Sequence, residues 1–198
     1  MKRVVFIILL LGFKLGNAQL LDSAQLDTVK PYLTIERAKA NPDKVIKLVL
    51  TKKKLTEVPP EIRQFKNLQY LDLSRNKIKR LPAWIGELTN VQVLILSHND
   101  IDTLTEQIGF MKHLKWFTMN RDPLDALPNA IGDLSELRML DVWGDNIGYF
   151  PSSLGKLNNL KFFDLRDILI NDEEQATIKS YLPSTTIFFS PSCSCKEQ

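Results

Sequence analysis

The chain has 198 residues, of which 44% are hydrophobic and 25% charged, so it is long enough for one domain with a substantial core. Its formal charge is +3, and residues 1 to 18 hold Lys2, Arg3 and Lys14 but no acid, so the remainder balances to zero. That balance excludes the basic excess that nucleic acid or an anionic membrane surface selects.

From the N-terminus, Met1-Lys2-Arg3 gives a charged start, Val4 to Phe13 an apolar run, and Gly16-Asn17-Ala18 a small-x-small site. This order predicts a secretory signal peptide over residues 1–18, cleaved after Ala18, and a secreted or periplasmic product. Ten residues rise only about 15 Å as a helix, roughly half a bilayer's hydrocarbon, which argues against an anchor and against membrane insertion once the segment is removed. The first cysteine is Cys193, so no thiol follows the run for lipid attachment, and Asn-x-Ser/Thr sequons are absent. The missing sequons, together with the lack of cysteine-rich caps around the repeats, lean towards a bacterial source. Residues 19–44 are expected to form an N-terminal cap, in which Thr34 to Ala40 reads as a short helix with Thr34 as its N-cap, ended by Asn41-Pro42. Residues 19 to 30 carry no clear pattern.

Over residues 45–170 one pattern recurs every 23 residues, giving five to six units. The anchors are Val45, Leu68, Val91, Leu114, Leu137 and Leu160. Three positions on stand Leu48, Leu71, Leu94, Phe117, Leu140 and Phe163, and two further on Leu50, Leu73, Leu96, Met119, Val142 and Leu165. At this composition such agreement arises by chance with odds of roughly one in a few million, so the period is real. The alternation predicts a strand in each unit. The returns, such as Leu81-Pro82-Ala83-Trp84-Ile85-Gly86-Glu87-Leu88, keep apolar residues at helical spacing in a short, tightly wound segment. Gly86, Gly109, Gly132 and Gly155 share one register, where positive φ or close backbone approach selects glycine.

The strings Leu68-x-x-Leu71-x-Leu73-x-x-Asn76-x-Ile78 and Leu81-Pro82-x-x-Ile85-Gly86-x-Leu88 resemble the leucine-rich repeat family, in particular its 23-residue class with an LPxxIGxL return. The resemblance implies an α/β solenoid, a right-handed horseshoe arc with a parallel sheet on its concave face and short helices or turns on the convex one. It also implies that partners bind the concave face. The family's turn asparagine is kept as Asn76 and Asn99, becomes Asp122 and Asp145, and is Lys53 and Ile168 in the outer units. An aspartate keeps the acceptor and loses the amide donors, so looser or water-bridged turns are expected in the middle of the array. Thr105 in place of the return proline reads as neutral variation.

Residues 171–198 are expected to form the C-terminal cap and tail, with a helix opened by Asn171-Asp172-Glu173-Glu174, running to about Tyr181, and a closing strand from Thr185 to Phe189. Cys193 and Cys195, two residues apart, read as accessible thiols in the tail rather than a stabilising disulfide.

Partner binding is assigned to strand residues that alternate with the buried ones. Two positions after the anchor stand Tyr70, Val93, Trp116, Met139 and Phe162, and four after it Asp72, Ile95, Thr118, Asp141 and Asp164. Beyond these come Trp143 and Arg166, then Arg75, His98 and Arg121. Exposed aromatic, Met and Arg residues are the composition of a protein-binding hot spot. The competing reading is that these side chains only pack against one another as cross-strand neighbours. Asp72, Asp141 and Asp164 suit a basic partner or a cation, though carboxylates so spaced more often keep a face solvated. Trp84 on the convex return reads as partly buried packing.

Neither His98 nor His113 sits in a nucleophile or metal-binding motif, and no glycine-rich phosphate loop follows a strand. No catalytic residue, metal ligand or cofactor is therefore assigned. The leading expectation is a non-catalytic secreted module that takes a protein or peptide. Glycan or envelope-polymer binding, by stacking on Tyr70, Trp116, Trp143 and Phe162, and self-association are the alternatives. A small metabolite would need a closed pocket, which an open sheet does not supply.

Overall fold

Alternating burial produces six short strands at the repeat spacing: β1 (Lys47–Val49), β2 (Tyr70–Asp72), β3 (Val93–Ile95), β4 (Trp116–Thr118), β5 (Met139–Asp141) and β6 (Phe162–Leu165). A computed structural model describes residues 19–190, so residues 1–18, expected to be a signal peptide, and the cysteine pair lie outside the described residues. Together with β7 (Thr186–Phe189) the strands form one parallel sheet in sequence order, open at both ends. From β1 to β6 each strand pairs with the next in exact repeat register, Leu48 with Leu71, Leu71 with Leu94, and so on, while β7 pairs with β6 one residue further on, Phe162 with Thr186. The architecture is an α/β solenoid, with the sheet on the concave side of the arc.

All eighteen repeat positions are buried, none more than 2% exposed, and they share one continuous core. Burial of a leucine-sized side chain is worth about 1.5–3 kcal/mol, so the repeats carry most of the stability. The returns are five-residue 3₁₀ turns at Pro60–Gln64, Ala83–Glu87, Glu106–Phe110, Asn129–Asp133 and Ser152–Lys156. Trp84 is half-buried against the core, as its packing role requires. Thr105 does more than vary neutrally: its hydroxyl accepts from the Gln107 N–H and gives that turn a side-chain cap that the proline-led turns lack.

Gly86, Gly109 and Gly132 owe their place to close approach and not to positive φ, whereas Gly155 has room for a Cβ. A Cβ on Gly132 would lie 2.2 Å from the Ser153 carbonyl oxygen of the next return, so only glycine lets the turns stack. The left-handed residues stand elsewhere, directly after the strands: Lys52, Arg75, His98, Arg121, Gly144 and Asp167 have φ between 56° and 72°. Arg75, His98 and Arg121 were expected on the strand face, but they turn the chain out of it. There their N–H groups extend the ladder to the carbonyls of Ser97, Asn120 and Trp143 at 2.9–3.0 Å. These bonds hold a backbone region that costs roughly 1–2 kcal/mol for a residue with a Cβ.

The turn asparagines work as acceptor and donor together. Asn99 Oδ1 accepts from the Ile78 N–H at 3.0 Å, while its amide donates to the carbonyls of Leu73 and Leu96. Asp122 and Asp145 keep the first half of this device, Oδ1 accepting from the N–H groups of Ile101 and Asp122 respectively. The middle turns are not loosened: both aspartates are buried, with Oδ2 unpartnered among the described residues. Burial pushes Asp122 up to about 7 and Asp145 up to about 8, against the pull of the N–H donors. The raised values follow from the second oxygen, which is buried without a partner and so favours the neutral carboxyl. In the outer turns Ile168 is simply buried and Lys53 exposed.

At the N-terminal edge, α1 (Ser23–Thr28) and α2 (Ile35–Lys39) precede the repeats. Thr34 caps α2 as expected, accepting from the Arg37 N–H, and Tyr32 bridges β1 in parallel. At the other edge α3 (Asp172–Tyr181) begins with the reciprocal Asn171–Glu174 capping box, and β7 pairs with β6.

Two outcomes are expected. Gly132→Ala lowers the denaturant midpoint by an amount equivalent to about 1–3 kcal/mol, because backbone must shift. Gly148→Ala, where a Cβ meets nothing within 4 Å, is the near-neutral control. Separately, carboxyls with raised folded-state pKa values confer stability that is full below their unfolded value and is lost as pH rises through the folded one. Thermal midpoints of the wild type therefore fall by several degrees from pH 5 to pH 9, and Asp122→Asn/Asp145→Asn flattens that fall.

Candidate binding face

In-register pairing sets the outward residues of successive units side by side, about 4.8 Å apart. Tyr70, Val93, Trp116, Met139 and Phe162 form one row across β2 to β6. Asp72, Ile95, Thr118, Asp141 and Asp164 form the next, and β7 extends it with Phe188, which pairs with Asp164. The first row is half-buried from Tyr70 to Met139 and opens at Phe162, 51% exposed; Phe188 is 42% exposed.

Charged groups on this face are mostly held by neighbours. Arg166 donates from Nε and Nη2 to the Asp164 carboxylate at 2.6–3.1 Å. Asp141 accepts from Asn120 Nδ2 and the Trp143 N–H, and its pKa is raised chiefly by burial. Asp72 accepts from the Ser74 N–H. The acidic column therefore does not converge on one point, and no group of three metal-ligating side chains occurs among the described residues. Arg121 lies 4.2 Å over the Trp143 ring, whose Nε1–H donates to Asp167, and Lys47 Nζ lies 4.5 Å over Tyr70. Burial, then the guanidinium groups of Arg75 and Arg121, lower the pKa of His98, which favours its neutral form.

The open sheet does carry a pocket, contrary to expectation. Helix α1 lies over the N-terminal half of the concave face with Leu26 buried, and a cleft of about 370 Å³ opens between it and the sheet. Tyr70, Val93, Ile95, Trp116, Thr118 and Met139 line the cleft from the sheet side. Phe162, Asp164, Arg166, Trp143 and Asp141 lie towards the open C-terminal half, outside it, as do Asp72, Arg75, His98 and Arg121.

Residues absent from the sequence-based assignment complete the face: Leu26 and Asp27 of α1, the aromatic Phe188, and two glutamines, Gln69 and Gln92, one position after their anchors. Both glutamines are buried and bonded to the N-terminal segment. Their signal was legible, because that column reads Gln69, Gln92, Lys115, Arg138 and Lys161, neutral amides giving way to cations.

The leucine rich repeat family model matches residues 44–101. Among solved structures, a leucine-rich repeat protein of Leptospira interrogans is 28% identical with a TM-score of 0.64, over 82% of this chain and 49% of its own. Internalin C2 of Listeria monocytogenes is 24% identical with a TM-score of 0.68, over 80% of this chain and 66% of its own. The plant peptide hormone receptor RGFR1, solved in complex with RGF2, is 25% identical with a TM-score of 0.63, over 82% of this chain and 27% of its own. The chain thus spans about half the length of the Leptospira protein. Curated proteins give no match.

One expectation concerns His98. Its imidazole titrates below the ordinary histidine value in an NMR pH series, and Arg121→Gln moves it upward by removing one repelling cation.

Proposed function

We propose that this chain, a leucine-rich repeat protein by its fold and by the family model it matches, is a non-catalytic binding module that takes a protein or peptide on its concave face. The supporting observation is the unbroken row Tyr70, Val93, Trp116, Met139 and Phe162, large apolar side chains kept on the solvent side of a sheet whose core is already full. Nothing in core packing asks for aromatic residues there, whereas a buried partner contact does. Exposed Phe162 ends this row and exposed Phe188 ends the neighbouring row beside Asp164, which sets the open half of the site between β4 and β7. The peptide receptor among the structural neighbours is in keeping with this use of the fold. The charged start and apolar run of residues 1–18 support export to the periplasm or cell exterior, and a bacterial source.

Glycan binding is the weaker reading. Stacking of sugars needs free ring faces, and Lys47 over Tyr70 and Arg121 over Trp143 each occupy one. Function here rests on the site's chemistry, since unrelated functions share one scaffold.

Trp116→Ala/Phe162→Ala is expected to lose captured protein partners at least tenfold in a pull-down, with a melting midpoint within a few degrees of wild type because neither residue belongs to the buried core. Retention of every partner at wild-type strength sinks the proposal. Binding that survives protease treatment of the captured material and disappears with glycosidase transfers the site to a glycan. Mass by light scattering that rises with concentration points to self-association.

A further inference from the structure

The column one position after the anchors changes environment along the arc. Gln69 is 0% exposed and Gln92 1%, Lys115 is half-buried, and Arg138 and Lys161 are exposed. Residues 19–21 make the difference by running past the second and third rungs, after Ile46 of the first. The Leu21 N–H donates to Gln69 Oε1 at 2.8 Å, and Gln69 Nε2 donates to the Gln19 carbonyl at 3.2 Å. Gln92 Nε2 donates to the Leu21 carbonyl and to Gln69 Oε1, both at 2.9 Å. Lys115 Nζ donates to Gln92 Oε1 at 2.6 Å, closing the ladder. A primary amide offers a donor and an acceptor together, so these two side chains read main chain and impose no sequence on what they hold. The peptide then turns, and α1 sets Leu26, 2% exposed, against the sheet at the mouth of the cleft, where Lys47 Nζ reaches the Leu26 carbonyl at 3.5 Å.

This attachment is slight beside the repeats. Leu26 is the buried residue of α1, and the rest of the helix is exposed. A segment held by one fully buried leucine, the half-buried Leu20 and Leu21 and a few hydrogen bonds opens before a core that spans every unit. Its charge also fits its surroundings: Gln19 to Thr28 holds Asp22 and Asp27 and no base, Lys47 Nζ reaches the Leu26 carbonyl, and beyond the glutamines the column continues as Lys115, paired with Glu136, then Arg138 and Lys161.

We propose that this rim of the concave face is a channel for an acidic, leucine-bearing peptide that runs past the two glutamines and then turns into a short helix, and that residues 19–28 are its resident ligand, displaced by a partner peptide of the same chemistry. The proposal rests on the concave-face reading above and adds to it the class of partner and the means by which the empty site is covered. The cleft behind α1 is then the place where the incoming leucine lodges against Tyr70 and Trp116 as the segment leaves.

The test uses the full chain and a fluorescein-labelled synthetic peptide spanning Gln19 to Lys30, followed by fluorescence polarisation. Leu26→Lys sets a cation beside Lys47 and releases the resident segment. It is expected to bind the peptide at least tenfold more tightly than wild type, and adding Gln69→Ala/Gln92→Ala is expected to remove that gain. Equal binding by wild type and Leu26→Lys, or a gain indifferent to the two glutamines, overturns the proposal. Should Leu26→Lys fail to fold, amide hydrogen exchange on the wild type decides: Leu21 and Leu26 exchanging far faster than Leu71 and Leu94 supports a displaceable segment, and exchange only with global unfolding overturns it. If the peptide fails to bind while Trp116→Ala/Phe162→Ala still loses its partners, the channel falls and the concave-face reading stands. Peptide binding alongside an unaffected pull-down has the opposite meaning.

Discussion

Each 23-residue unit leaves an apolar face that only the next unit covers, and everything else in this molecule follows from that dependence. Parallel pairing in exact register is the consequence, because a slip by one residue would turn the leucines of a strand towards water. The stacking distance then becomes a shared constraint. It excludes a side chain at Gly132, whose Cβ would collide with the next return, and it forces a left-handed residue after each strand regardless of that residue's type.

The same constraint explains why two aspartates sit where the pattern calls for asparagine. The turn position is buried by its neighbours, so its side chain must satisfy backbone on both sides without water. Asn76 and Asn99 do so as amides. Asp122 and Asp145 keep only the acceptor half of that device, and burial of the unpartnered second oxygen raises their pKa values to about 7 and about 8. Proton uptake is thereby written into the middle of the array, directly behind the face proposed to bind partners.

On that face, the order of the sheet converts a column in the sequence into a row in space. The C-terminal half of the face, with Phe162 in one row and Phe188 in the next, is open, while the N-terminal half is shared with the chain's own residues 19–28. Glutamines stand where the segment passes and cations where it does not. One face therefore holds an available surface and a covered one, divided near β4.

The repeat, the strands, the tight returns, both capped helices and the closing strand were legible in the amino-acid sequence, because each is specified by spacing within one unit or by a local cap such as Thr34 or Asn171. The rows of the binding face were legible for the same reason, once the register was known. What the sequence left open were contacts between residues far apart in the chain: Leu21 with Gln69 and Gln92, Leu26 over the cleft, and the approach of Ser153 to Gly132. Nor did it place Arg75, His98 and Arg121 in the turn, since φ there is imposed by the stack. Local periodicity by itself determined the scaffold. Only tertiary packing decided which part of its concave face is free, because that depends on where a short segment with no pattern of its own comes to rest.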